Sequence, residues 1–189
     1  MIDINQLIEI RWHGRGGQGA VTSAELLSQA AISEGKFAQA FPSFGPERRG
    51  APVLAFVRIS AKQPIKIRAE IVAPDVVVVL DPTLLRIVKV TSGLKEKGIL
   101  VVNTKKSDDQ IRSEFGDECQ LALVDATTIA RELLGVPITN TTMIGALVKA
   151  TGVVKLESLF EPLKQRFGRL AERNAEAMNR AYEGTFIKE

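Results

Sequence analysis

Residues 14–19 read Gly-Arg-Gly-Gly-Gln-Gly, set between the apolar stretch Leu7–His13 and the helical pattern Ala20–Ser33. A strand that runs through a glycine-rich turn straight into a helix opens an α/β unit. Such a turn also aims several backbone N–H groups at one point, and the helix dipole adds partial positive charge there. A phosphate or a carboxylate is the natural visitor. On spacing, Gly14, Gly16 and Gly19 satisfy the G-x-G-x-x-G fingerprint of dinucleotide-binding folds.

The rest of the chain continues the alternation of strand, turn and helix. Ala20, Ala24, Leu27 and Ala31 give one apolar helix face, and Gly35 stops it. Lys36–Phe41 reads as a second strand, and the Pro/Gly-dense residues 42–52 as an irregular loop. Val53–Ser60 and Ile65–Ile71, separated by four residues around Pro64, predict a hairpin. Val76–Leu80 is an unbroken apolar run suited to a central strand, followed by a short helix over Leu84–Val90. Ile99–Val102 and Leu121–Val124 read as further buried strands. Beyond residue 125 the chain turns helical, over Ala126–Leu134 and Thr142–Thr151, each ending at a glycine. In the tail, Leu156, Phe160, Leu163, Phe167 and Leu170 form a stripe that Ala171, Ala175, Met178 and Tyr182 continue. It predicts a core-facing surface, or a docking surface for a partner. The expectation is a single domain over residues 1–189: three layers, α/β/α, on a mainly parallel, mixed, Rossmann-like sheet, with a helical C-terminal region.

Composition removes several function classes. The net charge is only +3 in 189 residues, without a run of five like charges, and aromatics are 5%; nucleic acid is not the expected partner. No stretch reaches the roughly 18 apolar residues of a membrane helix, and the N-terminus carries no secretory pattern, so a cytoplasmic protein is expected. The chain has one cysteine, Cys119, and one histidine, His13. Iron–sulfur clusters are held by four thiolates and structural zinc by several Cys or His ligands, so no cluster or metal is expected on this chain. Cys119 reads as a buried, inert thiol, and His13 as structural or interfacial.

The fingerprint itself is weak. A dinucleotide enzyme carries an acid at the end of its second strand, and Ala38-Gln39-Ala40-Phe41 has none. A nucleoside-triphosphate loop would end in Gly-Lys-Ser/Thr, where this one has Gly19-Ala20-Val21. Phosphate binding and a purely structural tight turn both remain open on these residues.

Two longer motifs carry more information. Trp12–Gly19 and the loop Gln39–Pro52, taken together, resemble the gamma subunit of the 2-oxoacid:ferredoxin oxidoreductases. The likeness continues through Pro74-Asp75, Asp81–Leu85, Asn103-Thr104 and Asn140–Ala146, nearly the whole chain. The resemblance implies a subunit of an enzyme that decarboxylates a 2-oxoacid, passes the acyl group to coenzyme A and delivers electrons to ferredoxin. It implies alpha, beta and ferredoxin-like delta subunits as partners, with ferredoxin met through the complex. It also implies thiamine diphosphate, Mg2+ and 4Fe–4S clusters held by the other chains, with this one packed near the coenzyme A entrance. Pyruvate is the expected substrate, with branched-chain 2-oxoacids or 2-oxoglutarate as alternatives; a stand-alone NAD(P)-dependent dehydrogenase is the competing class.

No catalytic residue is assigned to this chain. The expected contacts with coenzyme A or a partner subunit are Gly14, Arg15, Gly16, Gly17, Gln18 and Gly19, and, across the loop, Glu47, Arg48 and Arg49. Paired arginines in a Pro/Gly-braced loop suit forked contacts with phosphate or carboxylate.

Overall fold

The structure, a computed structural model, describes residues 6–43, 49–115 and 119–188. In chain order the elements are β1 (Leu7–Arg15), α1 (Ala20–Ser33), β2 (Phe37–Pro42), β3 (Pro52–Ser60), β4 (Val76–Val79), β5 (Ile99–Asn103) and α2 (Asp108–Phe115). They continue with β6 (Gln120–Val124), α3 (Ala126–Leu134), α4 (Asn140–Thr151), α5 (Phe160–Phe167), α6 (Ala171–Gly184) and β7 (Phe186–Lys188). The seven strands form one sheet in the order β2-β3-β1-β4-β5-β6-β7. β1, β4, β5 and β6 are mutually parallel, β3 is antiparallel to both β1 and β2, and β7 is antiparallel to β6.

Side chains alternate between the two faces of each strand. Ile8, Ile10, Trp12, Val76, Val78, Ile99 and Val101 point to a thick helical layer built from α1, α4 and α6. Val77, Val79, Leu100, Val102, Leu121 and Leu123 point the other way, to a thinner cover of Leu84, Leu85, Val90 and Ile111. Each of these side chains is nearly or wholly buried, and burial of one such residue stabilises by about 1.5–3 kcal/mol. Within the thick layer α4 and α6 touch backbone to backbone: a Cβ on Gly145 would lie 2.0 Å from the carbonyl oxygen of Met178.

Four features differ from the sequence expectation. The predicted hairpin does not form. β3 already pairs on one side with β1 and on the other with β2, so residues 65–71 cannot pair with it. They run instead across the thin face, where buried Arg58 donates Nη1 to the carbonyls of Ile67 and Ala69, at 3.2 and 2.8 Å, and Arg11 reaches Ile71 O at 3.4 Å. The helix predicted over Leu84–Val90 is one 3₁₀ turn, Pro82–Arg86, capped by the Asp81 carboxylate. Further on, the carbonyls of Val90 and Ser92 accept from Arg11 Nη2 rather than from a helical N–H.

The tail stripe is broken as well. Two 3₁₀ turns, Leu156–Leu159 and Gly168–Leu170, reset the helical phase, leaving Leu163, Ala175 and Met178 buried but Phe160 and Leu170 about half exposed. Finally, α2 and β7 were not expected from the sequence. α2 does carry a start signal: Ser107 and Gln110 exchange side-chain and backbone hydrogen bonds as a capping box, with Asp108 and Asp109 in the first turn. β7 is three residues long and exists only because the edge of β6 accepts it.

Candidate contact site at the carboxyl edge of the sheet

The ends of the parallel strands gather the loops that the sequence singles out. β1 ends at Arg15, β4 is followed by Leu80 and Asp81, β5 ends at Asn103, and β3 begins at Pro52 on the same edge. The crossover after β1 leads toward β2 on one side while β4 lies on the other, so the glycine turn sits at the point where strand order reverses. In open α/β sheets that is the usual ligand crevice.

Here the crevice is bolted. Arg15 donates Nε to Asp81 Oδ2 at 3.0 Å, Nη1 to Gly50 O at 2.9 Å and Nη2 to Thr83 Oγ1 at 2.9 Å. Gln18 donates Nε2 to the same Asp81 oxygen at 2.9 Å, and its Oε1 accepts from Arg15 N at 2.8 Å. Burial pushes the Asp81 carboxyl up. The hydrogen bonds from Thr83 and Gln18 and the charge of Arg15 outweigh it, holding the group below its ordinary range. Arg15 thus spends its guanidinium inside the chain rather than presenting it outward.

The second loop joins the same edge. Gly16 N donates to Ala51 O at 2.9 Å and Gly50 N to Gly16 O at 3.1 Å, with Gly16 and Arg49 forming a parallel bridge. Arg49 is exposed beside the glycine turn, so the structure brings Gly14–Gly19 and Arg49 together. Glu47 and Arg48 lie outside the described residues.

Gly19 takes φ +81°, a left-handed conformation that leads into α1, which starts without a side-chain cap. A Cβ there would meet Asn140 Nδ2 at 2.5 Å. Asn140 opens α4, and its carbonyl accepts from Ser23 Oγ of α1 at 3.1 Å, so two helix N-termini meet over the turn. Asn103 braces the edge from the other side, donating Nδ2 to Leu80 O and to Thr127 Oγ1, both at 2.8 Å.

Beneath the edge, on the thin face, lie His13 and Arg11, both buried. His13 Nε2 accepts from Arg11 Nε at 3.1 Å. Burial, and after it the Arg11 charge, lower the imidazole pKa to about 3. The imidazole is neutral and serves as an acceptor, and among the described residues no Ser, Cys or acid is bonded to it to form a relay. Cys119 is buried against the apolar cluster of the same face. Among the described residues no group of three or more His, Cys, Asp or Glu side chains could hold a metal ion, and no helix is long and apolar enough to cross a membrane.

The insertion of β3 between β1 and β2 bears on the dinucleotide reading. In a dinucleotide fold the second strand lies beside the first, so that its terminal acid reaches the ribose. Here β2 is two strands away from the glycine turn, and Gln39 pairs with Arg58 in register. Sequence reasoning found the two loops but not Asn140 as a neighbour of the turn, nor the buried Arg11 and Arg58. Only the fold joins Gly19 to a residue 121 positions later.

Comparison with known proteins agrees with this arrangement. The chain is 58% identical over 185 residues to the "Pyruvate/ketoisovalerate oxidoreductases common subunit gamma" of Pyrococcus furiosus, covering 97% of this chain and all of that one. It is 52% identical to the "Pyruvate synthase subunit PorC" of Methanothermobacter thermautotrophicus, over 94% of this chain and 95% of the other. The crystal structure of pyruvate oxidoreductase subunit PORC from Thermotoga maritima superposes with a TM-score of 0.85 at 41% identity, covering 97% of this chain and 99% of that one. Residues 9–184 match the family described as pyruvate ferredoxin/flavodoxin oxidoreductase, and the chain belongs to that family.

Proposed function

We propose that this chain is the gamma subunit of a multisubunit, ferredoxin-dependent, CoA-acylating 2-oxoacid oxidoreductase that converts pyruvate to acetyl-CoA, CO2 and reduced ferredoxin. The observation that carries the reading is the end-to-end similarity to a chain named as a gamma subunit, at 58% identity with neither chain extending far beyond the other. The Pyrococcus relative is named as common to pyruvate and ketoisovalerate oxidoreductases, which favours a second reading in which this chain also serves a branched-chain enzyme.

The division of labour is the one the family resemblance implies, with 4Fe–4S clusters on a delta-type subunit and thiamine diphosphate with Mg2+ between alpha and beta chains; one cysteine and one histidine, too few for a four-thiolate cluster, fit that reading. Coenzyme A would supply the thiol that accepts the acyl group. This chain's part is to present the carboxyl edge, Gly14–Gly19 with the Glu47–Arg49 loop, to coenzyme A or to a partner subunit. Residues 1–189 act as one gamma-type domain, a reading that the continuous seven-stranded sheet supports, and the complex is read as cytoplasmic.

Affinity purification of the full chain from its host, with the co-purifying chains identified by mass, tests the proposal. Three partners, one of them rich in cysteine, are expected. A chain that emerges alone, yet decarboxylates pyruvate and reduces ferredoxin, defeats it.

A further inference from the structure

At the amino edge of the sheet, the end of the strands away from the glycine turn, the start of β1, the end of β3 and the chain that follows β3 enclose a cavity of about 570 Å³. Small-molecule sites are commonly of this size. Two nearly buried polar side chains line it, and each holds a donor in reserve. Arg58, 5% exposed, gives Nε to Glu9 Oε1 at 2.8 Å and Nη1 to the carbonyls of Ile67 and Ala69; its Nη2 has no hydrogen-bond acceptor among the described residues. Ser60, 6% exposed, accepts from Gln63 N at 3.1 Å, and its own hydroxyl proton has no acceptor among the described residues either. Buried donors are ordinarily paired. Lys62 adds an exposed ammonium with no acid partner among the described residues. Glu9, the one acid among the described lining residues, already meets Arg58 at 2.8 Å and Lys95 Nζ at 3.8 Å. Positive charge is therefore in excess. Leu7, Pro64 and Ile65 supply an apolar wall, and Leu7 is nearly half exposed.

We infer that this cavity binds a small monocarboxylate with an apolar body, its carboxylate held by Arg58 Nη2, Ser60 Oγ and Lys62 Nζ and its body laid on Leu7, Pro64 and Ile65. Unused donors call for an acceptor, and the excess of cations makes that acceptor an anion. One guanidinium N–H and one hydroxyl give two donors for the two oxygens of a carboxylate. A bare ion would leave most of the volume and the apolar wall unused, which is why the ligand carries a body as well as a charge. This site goes beyond the function proposed above. It lies at the opposite end of the strands from Gly14–Gly19 and Arg49, and binding there calls for neither coenzyme A nor a partner subunit.

The test is a titration of the full-length chain with hexanoate, followed by amide chemical shifts and by calorimetry, with acetate, inorganic phosphate and hexylammonium as the other arms. Saturable one-to-one binding of hexanoate is expected, with shifts centred on Ser60, Lys62, Gln63 and Ile65 and none at Gly14–Gly19. Acetate and phosphate, which lack the body, and hexylammonium, which reverses the charge, should each bind at least tenfold more weakly. Arg58 also holds the main chain of residues 67–69, so the variant of choice is Lys62→Glu at an exposed position; it should weaken hexanoate at least tenfold. The shift map of the unaltered chain decides the question even where that variant fails to fold. Hexylammonium bound as tightly as hexanoate, acetate or phosphate bound as tightly, shifts centred elsewhere, or a folded Lys62→Glu chain that binds as well as the parent would each overturn the assignment.

Discussion

Arg15 Nε stands 3.0 Å from Asp81 Oδ2, and this one contact joins the end of β1 to the end of β4 across the gap where a ligand would otherwise enter the sheet. Because Arg15 also holds Gly50 O, the pair fixes the returning strand of the second loop as well. Asp81→Asn keeps the shape and removes the charge. Both partners are largely buried, so a loss of about 1–2 kcal/mol is expected on urea unfolding. Faster hydrogen exchange at the amides of Gly16 and Gly50 should accompany it. Unchanged exchange at both amides would show that the loop is held by other means.

The α4–α6 contact makes a sharper demand. Gly145→Ala would place a methyl group 2.0 Å from Met178 O, a backbone atom that cannot swing aside. The helices must part, and overpacking of this kind costs about 1–3 kcal/mol. Gly184, at the end of α6, has nothing within 4 Å of its Cβ position and an ordinary φ, so Gly184→Ala should be neutral or stabilise by about 0.5 kcal/mol. Paired thermal melts of the two variants check the contrast.

His13 sets a pH dependence of definite sign. Its folded pKa is about 3, against an ordinary 6.5, so between those values the unfolded chain binds the extra proton and stability rises with pH. Between pH 7.5 and pH 5 the loss on acidification is about 2 kcal/mol. His13→Gln retains an acceptor for Arg11 and removes the titration. Urea midpoints for the parent should fall over this range, and those of the variant should fall markedly less.

In the assembled enzyme, replacing Arg48 and Arg49 together by Ala tests the second loop. If these arginines meet coenzyme A, its apparent KM rises about tenfold or more while assembly stays intact, the scale of losing one or two charge-assisted hydrogen bonds. If they meet a partner subunit, complex yield falls in size-exclusion chromatography, and the residual complex keeps its KM.

Much of the architecture is legible in the sequence because it is written locally. The strand–glycine–helix junction, the apolar runs at Val76–Val79 and Ile99–Asn103, and the terminal glycines of α3 and α4 each signal their own element. What could not be read is long-range competition. Ile65–Ile71 has the composition of a strand, yet β1 and β2 occupy both flanks of its intended partner. The site shows the same limit. Gly14–Gly19 and Arg49 announce themselves by type and spacing, whereas Asn140 resembles any helix-start residue until the fold lays it on Gly19.

The stretch that crosses the thin face is held in an uncommon manner. Residues 66–70 expose every side chain to solvent, while the carbonyls of Ile67 and Ala69 reach down to a guanidinium that is only 5% exposed. Arg58 therefore grips the path of the main chain and is indifferent to the letters along it. Evolution is free to rewrite Lys66, Ile67, Arg68, Ala69 and Glu70 almost at will, with proline the one letter that could distort the path, while Arg58 stays fixed. Among distant relatives this strip should vary in identity and keep its length, a signature opposite to that of the packed core beneath it.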